Sequence, residues 1–216
     1  MDVYATDDEK VEQLKKWWKE NGRSLVIGVV IGLAVLIGWR TWSHYRTGQA
    51  EQASDTYAAL MAALSRNDNE TALADGERIV SNFSSTPYAA LSALALARVR
   101  LEQGELTAAR TELQWALDHS DMEAVRHIAR LRLGRVMLAQ GDDAAALKLI
   151  AAVKDPGSFA SQYDELAGDI YVKQGKPQQA RAAYQKAMDS LGAGAAQRPL
   201  LEMKLDDVAG SAETKP

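Results

Sequence analysis

The side chains most able to do chemistry are three histidines and three carboxylate pairs. His119, Glu123 and His127 stand at i, i+4 spacing, which would put two imidazoles and a carboxylate on one helical face. Three ligands on one helix suit zinc poorly, because successive ones lie about 6 Å apart along the axis. The run Asp118-His119-Ser120-Asp121 also reads as a turn and a helix start, so these side chains are expected on a solvated surface without a metal. His44 adjoins a long apolar stretch. Among the carboxylates, Asp142-Asp143 fits a helix N-terminus, where the dipole favours acids; Asp206-Asp207 and Glu165 with Asp169 are expected on solvated faces. The chain has no Cys, which removes thiolate chemistry, disulfides and Cys-ligated zinc while leaving the redox compartment open. It carries no G-x-S-x-G, P-loop or H-E-x-x-H. Neither enzymatic activity nor a cofactor is expected.

Composition points to helices and away from nucleic acid. The 216 residues carry 25 Lys and Arg against 29 Asp and Glu, a formal charge of -4, which offers nucleic acid no basic footprint. Apolar residues make up 47% with only 6% aromatic, so the apolar mass is mostly Ala and Leu, the material of closely packed helices.

Ser24 to Trp39, SLVIGVVIGLAVLIGW, is an uncharged run between Arg23 and Arg40. Asn21 to Trp42 gives 22 residues, enough for a hydrocarbon layer of about 30 Å with both arginines snorkelling outward. Trp17 and Trp18 precede the run, and Trp39, Trp42 and Tyr45 follow at the depth where amphipathic rings settle. A cleaved signal peptide would need small residues where Trp39-Arg40-Thr41-Trp42 stands, so the run is expected to remain as an anchor. Lys10, Lys15, Lys16, Lys19 and Arg23 precede it, against only Arg40 and Arg46 closely after it. A cytoplasmic amino end follows, with the rest of the chain across a bacterial inner membrane in the periplasm. Gly28 and Gly32 form a GxxxG that reads either as a helix-packing face or as the ordinary glycine content of membrane helices.

After the anchor the pattern is helical throughout, with breaks at short polar or glycine turns. Gly134 aligns with Gly168, Gly141 with Gly175, Ala146 with Ala180 and Ile150 with Tyr184 at a spacing of 34 residues, the tetratricopeptide period. The unit holding Gly168, Gly175, Ala180, Tyr184 and Ala187 fits best, and Gln174-Gly175-Lys176-Pro177 supplies a helix-ending Gly and a helix-starting Pro. An earlier unit carries Ala97, Gly104, Ala109, Leu113 and Ala116, with an insertion near His119 to Glu123. Upstream, Ala50 to Leu64 and Thr71 to Val80 form a degenerate hairpin turned at Arg66 to Asn69. Glycines 192 and 194 are expected to stop the last paired helix, and Arg198 to Val208 to cap the final apolar face.

The expected architecture is therefore all-α: a single transmembrane helix followed by a tetratricopeptide-like α-solenoid of helical hairpins. Its divisions are a cytoplasmic amphipathic tail (1–22), the membrane helix (23–42), a juxtamembrane linker (43–49), the periplasmic domain (50–210) and a flexible tail (211–216). In such arrays the first helix of each unit lines the ligand face. Transferring that register selects Leu94, Arg98, Leu101 and Glu102, then Ile128, Leu131, Arg135 and Leu138, then Glu165, Asp169, Val172 and Lys173. Leucines mixed with single charges suit an apolar or helical segment with polar steering, although Leu94 and Leu131 also fit internal packing. The lysine and asparagine clamp for a terminal carboxylate is absent, with Leu94, Leu131, Arg98 and Arg135 in its places, so an acidic chaperone tail is not the expected ligand. Trp115 is expected in the core.

The amino end resembles one family in particular. Tyr4, Asp8-Glu9-Lys10-Val11-Glu12, Leu14-Lys15-Lys16-Trp17-Trp18, Asn21-Gly22 and Gly38-Trp39-Arg40-Thr41-Trp42 are similar to the start of the YfgM family, ancillary subunits of the SecYEG translocon of Gram-negative bacteria. The similarity continues through Tyr88 to Leu96 and Gly168 to Ala187. It implies an adaptor at the translocon, associated with SecYEG and a PpiD-like periplasmic chaperone, that passes emerging, unfolded clients to the periplasmic chaperone network. It also implies a contact between the cytoplasmic tail and a stress-response regulator. The alternatives are a scaffold for another envelope assembly and a negative regulator acting through residues 1–22.

Overall fold

In the computed structural model, residues 7–192 and 195–213 are described, and among them the chain is all-α. The helices are α1 (Asp7–Ser65), α2 (Asn69–Asn82), α3 (Pro87–Glu102), α4 (Leu106–His119), α5 (Glu123–Ala139), α6 (Asp143–Ala151), α7 (Ala160–Lys173), α8 (Pro177–Asp189) and α9 (Arg198–Glu213), with a 3-10 turn at Gly157–Phe159. The chain divides into two compact units, with the boundary after Gln49.

Within the first unit, α1 is long and apolar enough to cross a membrane. Leu25, Val29, Val30, Leu33, Val35, Leu36 and Ile37 are all exposed, as side chains destined for lipid must be. Trp39 and Trp42 lie 5.3 Å apart, and the Arg46 guanidinium sits 5.0 Å over the Trp42 ring, joining aromatic and cation in one interfacial belt. Residues 43–49, expected as a juxtamembrane linker, are helical. This stretch has no proline, Thr47 Oγ1 donates to the Ser43 carbonyl within the helix, and one glycine, Gly48, costs only about 1 kcal/mol. Residues 1–6 of the expected cytoplasmic tail lie outside the described residues; 7–22 are helical.

The second unit is four hairpins and a closing helix. First helices are the end of α1 (from Ala50), α3, α5 and α7; their partners are α2, α4, α6 and α8. Each hairpin turns on one residue of positive φ: Asn67 (57°), Gly104 (78°), Gly141 (83°) and Gly175 (69°). The hydrogen bonds repeat too. The turn residue donates to the carbonyl three before it (Leu64, Leu101, Leu138, Val172), and the next residue donates to the carbonyl five before itself (Ala63, Arg100, Met137, Tyr171). This is a Schellman closure made four times. The residue five after the turn is Ala72, Ala109, Ala146 or Ala180, each fully buried where the helices cross.

The upstream hairpin is thus a full unit. Asn takes the left-handed position because its short polar side chain tolerates that region better than other non-glycine residues. The unit also inverts a size pattern. In the later units a small residue of the first helix (Ala97, Gly134, Gly168) corresponds to a large one of the second (Leu113, Ile150, Tyr184). Here Leu60, fully buried, takes the first place and Gly76 the second. Leu96 of the next unit fills the space over Gly76, where an added Cβ would lie 2.6 Å from its Cδ2. One large and one small residue still occupy the two positions, with their places exchanged.

The loop 120–122 supplies the inserted residues between α4 and α5. At the far end, α8 stops at Asp189, three residues before Gly192; Gly194 lies outside the described residues. Leu201 and Val208 of α9 are buried with Tyr184, Ala187 and Met188, which closes the last apolar face. Of the expected flexible tail, 211–213 extend α9 and 214–216 lie outside the described residues.

Candidate protein-binding face

Counting back from each turn residue aligns the first helices without reference to sequence motifs. Three residues before the turn stand Leu64, Leu101, Leu138 and Val172; six before it stand Met61, Arg98, Arg135 and Asp169. Leu101 (36%) and Val172 (48%) are exposed, Leu64 and Leu138 are half-buried, and Met61, Arg98 and Arg135 are exposed. One face of the first helices therefore carries an apolar row beside a polar row. Lys173 is exposed at the end of α7. Arg98 Nε donates to Glu102 at 2.8 Å within α3.

Two groups of expected ligand residues do other work. Leu94 (8%) and Leu131 (4%) are buried in the main core with Ala97, Leu133 and Leu166, because they face the neighbouring helices rather than solvent. Glu165 and Asp169, expected on a solvated face and in the groove, are both held by Lys204 of α9, whose Nζ lies 2.7 Å from each. Asp169 also accepts from the Tyr184 hydroxyl at 2.8 Å. Burial alone would push the Lys204 ammonium down, but the hydrogen bonds and charges of Asp169 and Glu165 outweigh it and hold it above the usual lysine range. Burial first, then the Asp169 bond, drives the Tyr184 phenol well up, so it stays a donor. The face of the last unit is covered by its capping helix.

The middle units differ. Arg132, which the position transfer did not select, stands on α5 three residues before Arg135. Arg98 and Arg135 hold one repeat position on neighbouring first helices, with Arg132 one turn from Arg135, and burial, then the charges of Arg135 and Arg98, push the Arg132 guanidinium below the usual range. Among the described residues neither Arg132 nor Arg135 makes an ion pair, and α5 carries Arg126, Arg130, Arg132 and Arg135 against a single acid, Glu123. On the other side of α3, Arg100 bridges Glu77 of α2 (3.0 Å) and Glu105 (2.8 Å), tying consecutive hairpins together.

The histidines divide at the end of α4. His119 closes α4, stacked 4.4 Å from Trp115 and donating from Nδ1 to the Trp115 carbonyl; Trp115 itself packs between two core clusters. His127 corrects the expectation of a solvated surface. It is buried, shares a 2.8 Å hydrogen bond with the Tyr163 hydroxyl and stacks on Phe159 at 4.8 Å. The partner is 36 residues away, which no local spacing reveals. Asp142 stands at the N-terminus of α6, as expected, but its carboxylate makes no capping hydrogen bond and pairs instead with Arg110 of α4. In the membrane helix, nothing lies within 4 Å of where a Cβ at Gly28 or Gly32 would stand, leaving bare backbone on that side.

The fold agrees with known proteins. Two solved structures share it: PilF of Pseudomonas aeruginosa, with TM-score 0.60 at 18% identity over 77% of this chain and 71% of that one, and a MamA RS-1 double mutant, with TM-score 0.55 at 16% identity over 77% of this chain and 99% of that one. The tetratricopeptide repeat-like domain family matches residues 15–210. The ancillary SecYEG translocon subunit of Escherichia coli (strain K12) is 30% identical over 209 residues, 97% of this chain and 100% of that protein. Its namesake in Haemophilus influenzae (strain ATCC 51907 / DSM 11121 / KW20 / Rd) is 31% identical over 95% of this chain and 100% of that protein. The match takes in the apolar helix as well as the hairpins, and a tetratricopeptide-like array is an interaction module rather than a catalytic one. With its anchor and its four-hairpin array both accounted for, the chain belongs to the family of ancillary SecYEG translocon subunits, single-pass proteins of the bacterial inner membrane.

Proposed function

We propose that this protein is an adaptor at the Sec translocon. Its amino end is cytoplasmic, its hairpins stand in the periplasm, and the uncovered face of its middle hairpins receives a periplasmic chaperone or an emerging client. The chaperone is of the PpiD-like class that the family resemblance implies. The observation that carries this reading is the exposed Leu101 and half-buried Leu138 beside the exposed Arg98 and Arg135, on the helices that line the ligand face in tetratricopeptide arrays. Apolar side chains in regular register beside charges suit an extended or helical segment, with contact area from the first and orientation from the second. Gly28 and Gly32 would serve as the close-packing side of the anchor against a membrane partner.

The test is mild detergent extraction from crosslinked inner membranes with identification of the captured proteins. Translocon and chaperone subunits should be recovered with the full chain, and the chaperone should drop out when Leu101 and Leu138 are both changed to Ser. A reproducible partner set without the translocon would favour a scaffold for a different envelope assembly.

A further inference from the structure

The face just described has a charge that the chain as a whole does not. The protein carries a formal charge of -4, yet Arg98 and Arg135 hold the same repeat position on the first helices of the second and third hairpins, Arg132 lies one turn before Arg135, and all three are exposed. Among the described residues Arg98 alone of the three has an acidic partner, Glu102, and it lies on the same helix. At the repeat-equivalent place in the last hairpin the residue is acidic, Asp169, and the protein supplies its own counter-ion through Lys204. The middle hairpins have apolar side chains, exposed Leu101 and half-buried Leu138, three residues beyond Arg98 and Arg135, and among the described residues no acidic counter-ion reaches across to these arginines from another helix.

From this we infer that the middle hairpins recognise an amphipathic protein segment whose apolar side seats on Leu101 and Leu138 and whose flanking acids pair with Arg98, Arg132 and Arg135. The inference rests on the binding-face reading above and adds the chemistry of the partner. It revises the expectation drawn from the absent terminal-carboxylate clamp. The acids recognised are side chains along the segment, since Leu94 and Leu131, in the places of the clamp's lysines, are buried. Three guanidiniums that repel one another are relieved when carboxylates arrive, so the partner's acids should contribute affinity and accelerate encounter.

The full chain in neutral-lipid nanodiscs would be titrated against three labelled helical peptides with the same leucine face and Glu, Gln or Lys at the flanking positions. Anisotropy is the readout, with empty nanodiscs as control. The Glu peptide should bind about tenfold tighter than the Gln peptide at low salt, and the advantage should shrink as salt is raised. Arg135→Gln and Arg98→Gln, each checked for unchanged helicity, should remove most of that advantage, whereas Leu101→Ser should weaken all three peptides alike. Equal affinity for the three peptides, with Leu101→Ser still weakening them, would overturn the acidic preference and leave the binding face standing. No binding of any peptide would overturn both. Displacement of the Glu peptide by phosphatidylglycerol vesicles but not by vesicles of neutral lipid would overturn it in favour of a lipid surface.

Discussion

The second helical hairpin pair and the last one build the same surface and end with opposite accessibility. Arg98, Arg135 and Asp169 occupy one repeat position, six residues before the left-handed turn. On α3 and α5 that position faces solvent. On α7 it faces α9, whose Lys204 reaches back to Glu165 and Asp169. A terminal unit has no successor to cover it, and here the capping helix does so with a salt-bridged lysine while Leu201 and Val208 fill the apolar side. An identical backbone register thus gives a structural contact at the end of the array and an open face in its middle.

Core substitutions should separate the units most strongly. A Cβ at Gly168 would overlap the Tyr184 ring, a side chain pinned by its bond to Asp169, so Gly168→Ala should cost about 3 kcal/mol in urea unfolding of the full chain. Gly134→Ala should cost only about 1 kcal/mol, because the nearest atom, 2.9 Å away, is a Leu166 methyl free to shift. A similar cost for both would mean that Tyr184 yields and that the last unit is not held as described.

Removing the capping cation comes next. Lys204→Met leaves two half-buried carboxylates without their counter-ion and should destabilise by about 2 kcal/mol. The pH profile gives a second signature. A lysine whose native pKa is raised contributes stability that is full below its unfolded value near about 10.4 and is lost as pH rises through the native one. The wild-type chain should therefore weaken in that alkaline window, and Lys204→Met should lose that component of the decline.

A smaller effect runs the other way. Glu112 on α4 is half-buried, and burial, with Glu77 nearby, raises its carboxyl above the usual range despite Arg100. The folded state then holds that proton more tightly, so ionisation at neutral pH costs stability. Glu112→Gln should raise thermal stability at pH 7 by about 0.5 kcal/mol, with the gain vanishing below about pH 4. Least of all, Arg98→Gln and Arg135→Gln should change stability by no more than about 0.5 kcal/mol, since both side chains are exposed. If either proved strongly destabilising, the middle face would be structural like the last one.

Local signals carried most of the fold into the sequence. Gly104, Gly141 and Gly175 mark left-handed turns that few other residues tolerate, and the buried alanines follow each at a fixed distance. The first hairpin was harder to see because Asn67 stands for the glycine and Leu60 with Gly76 exchange the usual sizes; spacing survived where identity did not. The proposed binding face is legible only as a register. That register selected Arg98 and Arg135 but passed over Arg132, which joins them through the approach of α3 to α5. It also selected Glu165 and Asp169 without showing that Lys204, 39 and 35 residues away, takes both. The same distance in sequence hid the contact between His127 and Tyr163. Pairings across the array depend on how helices stack, and helix periodicity does not encode them.

The most direct test of an open middle and a closed end is paired photocrosslinking of the full-length protein in cells, with the photoreactive residue at Arg135 or, in a separate strain, at Asp169. Partner adducts should form from position 135, with few or none from 169, where α9 stands in the way. Adducts of equal yield from both positions, or from 169 alone, would contradict the account and move the binding surface to the end of the array.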